Sequence, residues 1–114
     1  MIIGGNHSQY LATALRGLEA QRQAFEHNIA NVETPDFRAR RVSFEDSLRQ
    51  AVSRDDPSLA SMSTSLSDAP LRIDGSNVIL EDEVTGLELN SLRQQLVTQA
   101  INARYTRLRS TIGR

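Results

Sequence analysis

Cysteine is absent from the 114 residues, so no disulfide frame, thiolate nucleophile or cysteine-ligated zinc can form. Lysine is absent as well. All 13 basic residues are arginine, which removes a Walker lysine, a Schiff-base lysine and a serine–lysine dyad. There is no tryptophan and aromatics make up 4%, leaving few bulky anchors for a core. Apolar residues reach 39%, or roughly 44% with glycine, just short of the usual share for soluble domains. An excess of one charge is missing too: 13 basic residues face 14 acidic ones, for a net charge of -1. Nucleic-acid binders normally carry a clear positive excess, so that class is disfavoured. No run approaches the ~18 apolar residues of a membrane span, so direct membrane insertion is not expected. The N-terminal stretch lacks a basic start followed by a long apolar run and does not read as a secretory signal. The length suits a single domain over 1–114.

What is present is helical periodicity at both ends. In the first helix, expected at about 9–33, Leu11, Leu15, Leu18, Phe25, Ile29 and Val32 recur at alternating spacings of four and three, with Arg22 as the polar break. Ser8 is the expected N-cap, and Pro35 ends the helix by pushing Thr34 out of the α region. The second long helix is expected at about 81–112, stopped by Gly113. Glu81, Asp82 and Glu83 occupy its first turn and suit the helix dipole, while Arg104, Arg107 and Arg109 lie near its other end.

Between the helices, about 34–80, regular structure is scarce. Phe44, Leu48 and Val52 suggest one short helix capped by Ser43. Residues 53–70 are dominated by Ser, Asp and Pro and read as a flexible loop. Leu71–Ile73 and Val78–Leu80 alternate like a small β-hairpin around Asp74–Asn77. The expected fold is all-α: two long helices in a coiled-coil-like hairpin, with an irregular middle and that small hairpin.

A helical wheel of the C-terminal helix gives two apolar faces. Leu89, Leu92 and Leu96, continued by Ala100 and Ala103, form one, expected to pair with Leu11, Leu15, Leu18 and Phe25. Ile101, Tyr105, Leu108 and Ile112 form the other, and these are the expected subunit contacts. Burying a large aliphatic side chain contributes about 1.5–3 kcal/mol, so four left in water forgo something like 6–12 kcal/mol. A partner chain is the expected cover.

Catalytic chemistry finds little support. His7 and His27 have no metal-ligand spacing, and Glu26-His27 lacks the H-E-x-x-H pattern. Asp74 and Asn77 do not sit as in a calcium loop. Arg38, Arg40 and Arg41 form a basic run without interleaved aromatics, read as a solvated or subunit-facing patch. The chain reads as no enzyme, with neither metal nor cofactor.

One stretch is distinctive: Asn28-Ile29-Ala30-Asn31, then Thr34-Pro35, then Phe37-Arg38-Ala39. It resembles the N-I-A-N-x-x-T-P-G-[YF]-[KR]-A signature of flagellar rod and hook proteins. Asp36 stands where that family has glycine; aspartate tolerates a positive φ less well, so the turn is expected to differ locally. The short length, the missing central domain, Asn77-Val78 before an acidic turn and the tail through Arg93, Tyr105, Leu108 and Ile112 look like the proximal rod. The resemblance implies a structural subunit of the basal body that assembles helically, transmits torque and walls the export channel. It further implies passage through the flagellar type III apparatus without a cleaved signal. The implied partners are other copies of itself, rod proteins of the FlgC and FlgF types, the adaptor FliE and the export gate. The alternative is a soluble helical adaptor or export chaperone that buries its spare face on a partner helix in the cytoplasm.

Overall fold

The computed structural model of the chain describes residues 6–112. Its elements are α1 (His7–Ala30), β1 (Arg40–Ser43), α2 (Glu45–Ser53), β2 (Ser63–Leu66) and α3 (Leu80–Ile112), with one turn of 3-10 helix at Pro57–Leu59 before β2. Of the described residues, 64% are helical. The two long terminal helices are as expected, and the small sheet is built by β1 and β2 rather than by a hairpin at 71–80.

α3 runs back along α1. Asn28 meets Glu83, Phe25 lies on Gly86, Leu18 meets Asn90 and Ser8 meets Arg104, so the two helices are antiparallel over most of α1. The body is long and thin, 64 × 26 × 13 Å, with a radius of gyration of 17.7 Å. A compact domain of this length would have about 13 Å.

α1 begins at His7 after Asn6, and the expected cap Ser8 instead uses its hydroxyl to accept a bond from Arg104 Nε at 2.8 Å. The helix ends at Ala30, before Pro35 acts. Asn31 and Val32 donate their N–H groups to Asn28 and Ile29, tightening the last turn, and the Asn31 amide donates to the His27 carbonyl at 2.8 Å. The stop is a side-chain cap, and proline shapes the turn that follows it. The expected end of α3 at Gly113 lies outside the described residues.

The short middle helix forms as α2. Phe44, just before it, is buried on Gly17 of α1, where an added Cβ would lie 2.5 Å from the Phe44 ring. Residues 53–70 differ from the expected loop. β2 pairs antiparallel with β1, from Arg40 opposite Leu66 to Ser43 opposite Ser63. Backbone pairing and side-chain anchors order this segment, which has no apolar alternation to announce a strand. The expected hairpin at 71–80 is absent: its turn forms, with Arg72 N–H donating to Ser76 and Gly75 N–H to Arg72, but its arms do not pair as strands. The arms have other work. Asn77 and Val78 are buried beside the α1 exit, while Leu71 and Ile73 are exposed.

Candidate assembly site

The motif residues close the corner between α1 and β1. Asn28 is fully buried. Its carbonyl oxygen accepts the Arg40 N–H at 2.9 Å, and its amide donates to the Arg40 carbonyl at 3.0 Å and to Glu83 Oε1 at 2.7 Å. One side chain thus pins α1 to both the start of β1 and the first turn of α3. Asn31 caps α1, and Thr34 Oγ1 donates to Asn31 Oδ1 at 3.0 Å. Phe37 N–H donates to the Thr34 carbonyl at 3.3 Å across Pro35 and Asp36. Asp36 adopts φ 63°, as the third residue of a type II turn must, so aspartate takes the conformation expected of glycine. Its N–H donates to Asp74 at 2.9 Å, and a Cβ on Gly75 (φ 84°) would collide with the Asp36 carboxylate. Phe37 is half-buried, its ring 5.4 Å from that of His27. Ile29 is half-buried and Ala30 exposed.

Asn77 does for the middle segment what Asn28 does for the helices. It accepts from Ala39 N–H at 2.7 Å and donates to Ser67 and Ala69 carbonyls at 3.0 and 3.2 Å. Arg72 reaches across to the Val32 carbonyl at 2.7 Å and also donates to Val78.

Glu83 stands in the first turn of α3, where the helix dipole favours an acid, and Arg41, expected in a solvated or subunit-facing patch, instead turns to it within the chain. Glu83 is fully buried, and Arg41 grips it with two bonds of 3.0 and 2.8 Å while stacking 5.9 Å from the centre of the Phe25 ring. Further along, Asn90 donates to the Leu18 carbonyl at 2.9 Å and to Gln21 Oε1 at 3.3 Å, and accepts from Gln94 at 2.7 Å. Gln21 continues the chain to the Val42 carbonyl and the Glu45 carboxylate, at 3.1 and 2.8 Å. Burial pushes the Glu45 carboxyl up, but the Gln21 amide and the backbone N–H groups of Glu45 and Phe44 outweigh it and hold the group below its ordinary value.

The buried positions on the side of α3 that faces α1 are therefore all polar. They are Glu83, Asn90 and Arg104, with Leu87, Gln94, Val97 and Ile101 half-buried on the same stripe. Leu89, Leu92 and Leu96, expected to pair with α1, are exposed at 45%, 52% and 57%. That face assignment is corrected. The wheel ranked faces by apolarity, whereas the buried face is the one whose polar groups all find partners. On α1, Leu18 is buried and Phe25 seats on Gly86, but Leu11 and Leu15 are only half-buried. Of the expected subunit contacts, Tyr105, Leu108 and Ile112 are exposed, while Ile101 turns partly toward α1. Ser8, Leu11, Ala12, Ile101, Arg104, Tyr105 and Leu108 surround a cavity of about 270 Å³ between the helix ends.

At the start of α1, Asn6 and the Tyr10 hydroxyl both donate to Asp55 Oδ1 at 3.0 Å. Those bonds hold the Asp55 carboxyl below its ordinary value; partial desolvation, then the Asp55 bond, pushes the Tyr10 phenol up.

Among the described residues no three His, Cys, Asp or Glu side chains gather to hold a metal ion, and no helix is long and apolar enough to cross a membrane. The arrangement is one of shape and pairing. No family model matches the chain. The flagellar basal body rod protein FlgB of Bacillus subtilis strain 168 is 28% identical over 118 residues, covering 91% of both chains. The chain is similar to a flagellar rod protein. That similarity supports the resemblance carried by the Asn28–Ala39 motif.

Proposed function

We propose that the chain is a structural subunit of the flagellar proximal rod. It polymerises helically with copies of itself and with rod proteins of the FlgC and FlgF types, next to FliE and the export gate. In that place it transmits torque and walls the export channel. The observation that carries this reading is the nearly end-to-end similarity to a flagellar basal body rod protein. The surface supports it. A thin two-helix body with Leu89, Leu92 and Leu96 on one side and Tyr105, Leu108 and Ile112 near its tip exposes apolar area that a lone chain leaves wet. Export through the flagellar type III apparatus, without a cleaved signal, accounts for how such a subunit reaches the rod. Deleting the gene in its flagellated host and imaging basal bodies in place tests the reading. Membrane rings without a rod, restored by the intact gene, are expected; complete rods in the deletion strain overturn it.

A further inference from the structure

Apolar transfer alone does not choose the face of α3 that meets α1, because Leu89, Leu92 and Leu96 on one side are matched by Leu87, Val97 and Ile101 on the other. Something else must select the inward face. We propose that the hydrogen bonds buried between α1 and α3 set the rotation of α3 about its own axis and so hold its leucine row outward. At 3.6 residues per turn the row is centred roughly 130° from Asn90. Turning it inward would carry Glu83 away from Asn28 and Arg41, and Asn90 away from Leu18 and Gln21.

Gly86 makes the same selection by shape. A Cβ at that position would lie 2.5 Å from Phe25 Cε1, so the aromatic ring accepts the glycine face of α3 and excludes a face that presents side chains there. Glu83, Gly86 and Asn90 occupy one stripe, and each identifies it independently. Asn90 and Glu83 are thus positioning residues whose effect is read on side chains they do not touch.

The test uses the full chain in isolation, so its outcome is separate from that of the rod reading. Because the protein has no cysteine, Leu92→Cys and Val97→Cys each give a single reporter thiol for maleimide labelling. Burial slows thiol labelling, so the reporter at 92 is expected to react about tenfold faster than that at 97. In the Glu83→Leu/Asn90→Leu background, with helix content checked by circular dichroism, the ratio is expected to fall to about one or invert. If that background loses its helices, Asn90→Leu alone decides, and there the ratio must fall at least threefold. Equal rates in the parent, or an unchanged ratio in a helical variant, overturn the proposal.

Discussion

The Asn28 amide and the Glu83 carboxylate meet at 2.7 Å, both fully buried, across the junction of the two long helices. The pair is asymmetric: Asn28 also binds both backbone groups of Arg40, while Glu83 receives a two-pronged bond from Arg41. Among the described residues every buried side-chain nitrogen and oxygen has a partner, so substitutions that change one atom type here carry large consequences.

Asn28→Asp replaces a donor with an acceptor against a buried carboxylate. Like charges at hydrogen-bond distance and the lost N–H are expected to cost about 3–5 kcal/mol at neutral pH, as for a broken buried pair. Asn28→Ala, which leaves groups unpaired without adding charge, is expected to cost about 1–3 kcal/mol. Urea unfolding checks the order. A variant Asn28→Asp no less stable than Asn28→Ala at pH 7 contradicts it.

Gly86→Ala would ordinarily strengthen a helix by about 1 kcal/mol. Here the added methyl meets the Phe25 ring, and overpacking of this kind costs about 1–3 kcal/mol. The expected result is a lower Tm, partly recovered when Phe25→Leu clears the space. A rise in Tm from Gly86→Ala alone would show that the ring yields freely.

The same residues explain what could be read in advance. The long helices and α2 were legible because apolar spacing is a local signal, and the motif located the corner from Asn28 to Ala39; the expected caps Ser8 and Ser43 do not cap, since α1 starts from Asn6 and α2 from Phe44. The paired strands were not, because Arg40–Ser43 and Ser63–Leu66 lack apolar alternation and are held by distant groups such as Asn77. The inward face of α3 was hidden for a related reason. Glu83 and Asn90 are acceptable in an interior only because Asn28, Arg41, Leu18 and Gln21 arrive from elsewhere in the chain, and a wheel of one helix cannot display those partners. Asn31 was legible as a group that bonds the freed end of α1, but the helix stops at Ala30, nearer to Asn31 than to Pro35.

Pro35→Ala is accordingly expected to leave α1 ending at Ala30. The Asn31 and Thr34 bonds that close the helix do not involve proline, and α1 stops well before it. The substitution frees the turn before Asp36, and the measurable effect is a modest loss, about 0.4–1 kcal/mol, from the greater freedom of the unfolded chain. Amide chemical shifts over 28–37 check this; helical shifts extending past residue 33 would restore proline as the stop.

The Tyr10–Asp55 contact gives stability a pH dependence with opposite signs at its two ends. Asp55 is held below its ordinary value by Asn6 and then Tyr10, so its contribution is complete above about pH 4 and is lost as pH falls through the lowered value. Tyr10 is raised by desolvation and then by Asp55, so its contribution is complete below about pH 10 and is lost as pH rises through the raised value. With no lysine or cysteine present, the side chains that titrate in the alkaline range are the two tyrosines, since the arginines keep their charge. Tyr10→Phe should therefore flatten the alkaline fall in Tm between about pH 9 and pH 11. An unchanged alkaline limb in that variant would show that the contact carries none of it.

The exposed leucines separate folding from assembly. Leu92 is 52% exposed and Leu108 49%, so a carboxylate at either position stays in water in the lone chain. Surface changes of this kind usually fall within about 0.5 kcal/mol, so Leu92→Asp and Leu108→Asp are each expected to keep the parent's helix content and Tm. In a subunit contact the same carboxylate would be buried without a partner, a penalty of several kcal/mol incurred at every copy. Both variants are therefore expected to be exported yet to build no rods, scored by motility and by imaging of basal bodies. Cysteines placed singly at 92 and 108 should crosslink between chains in assembled rods. Normal swimming by Leu92→Asp cells, together with no crosslink from position 92, would remove the leucine row from the subunit interface and leave the helix tip to carry it.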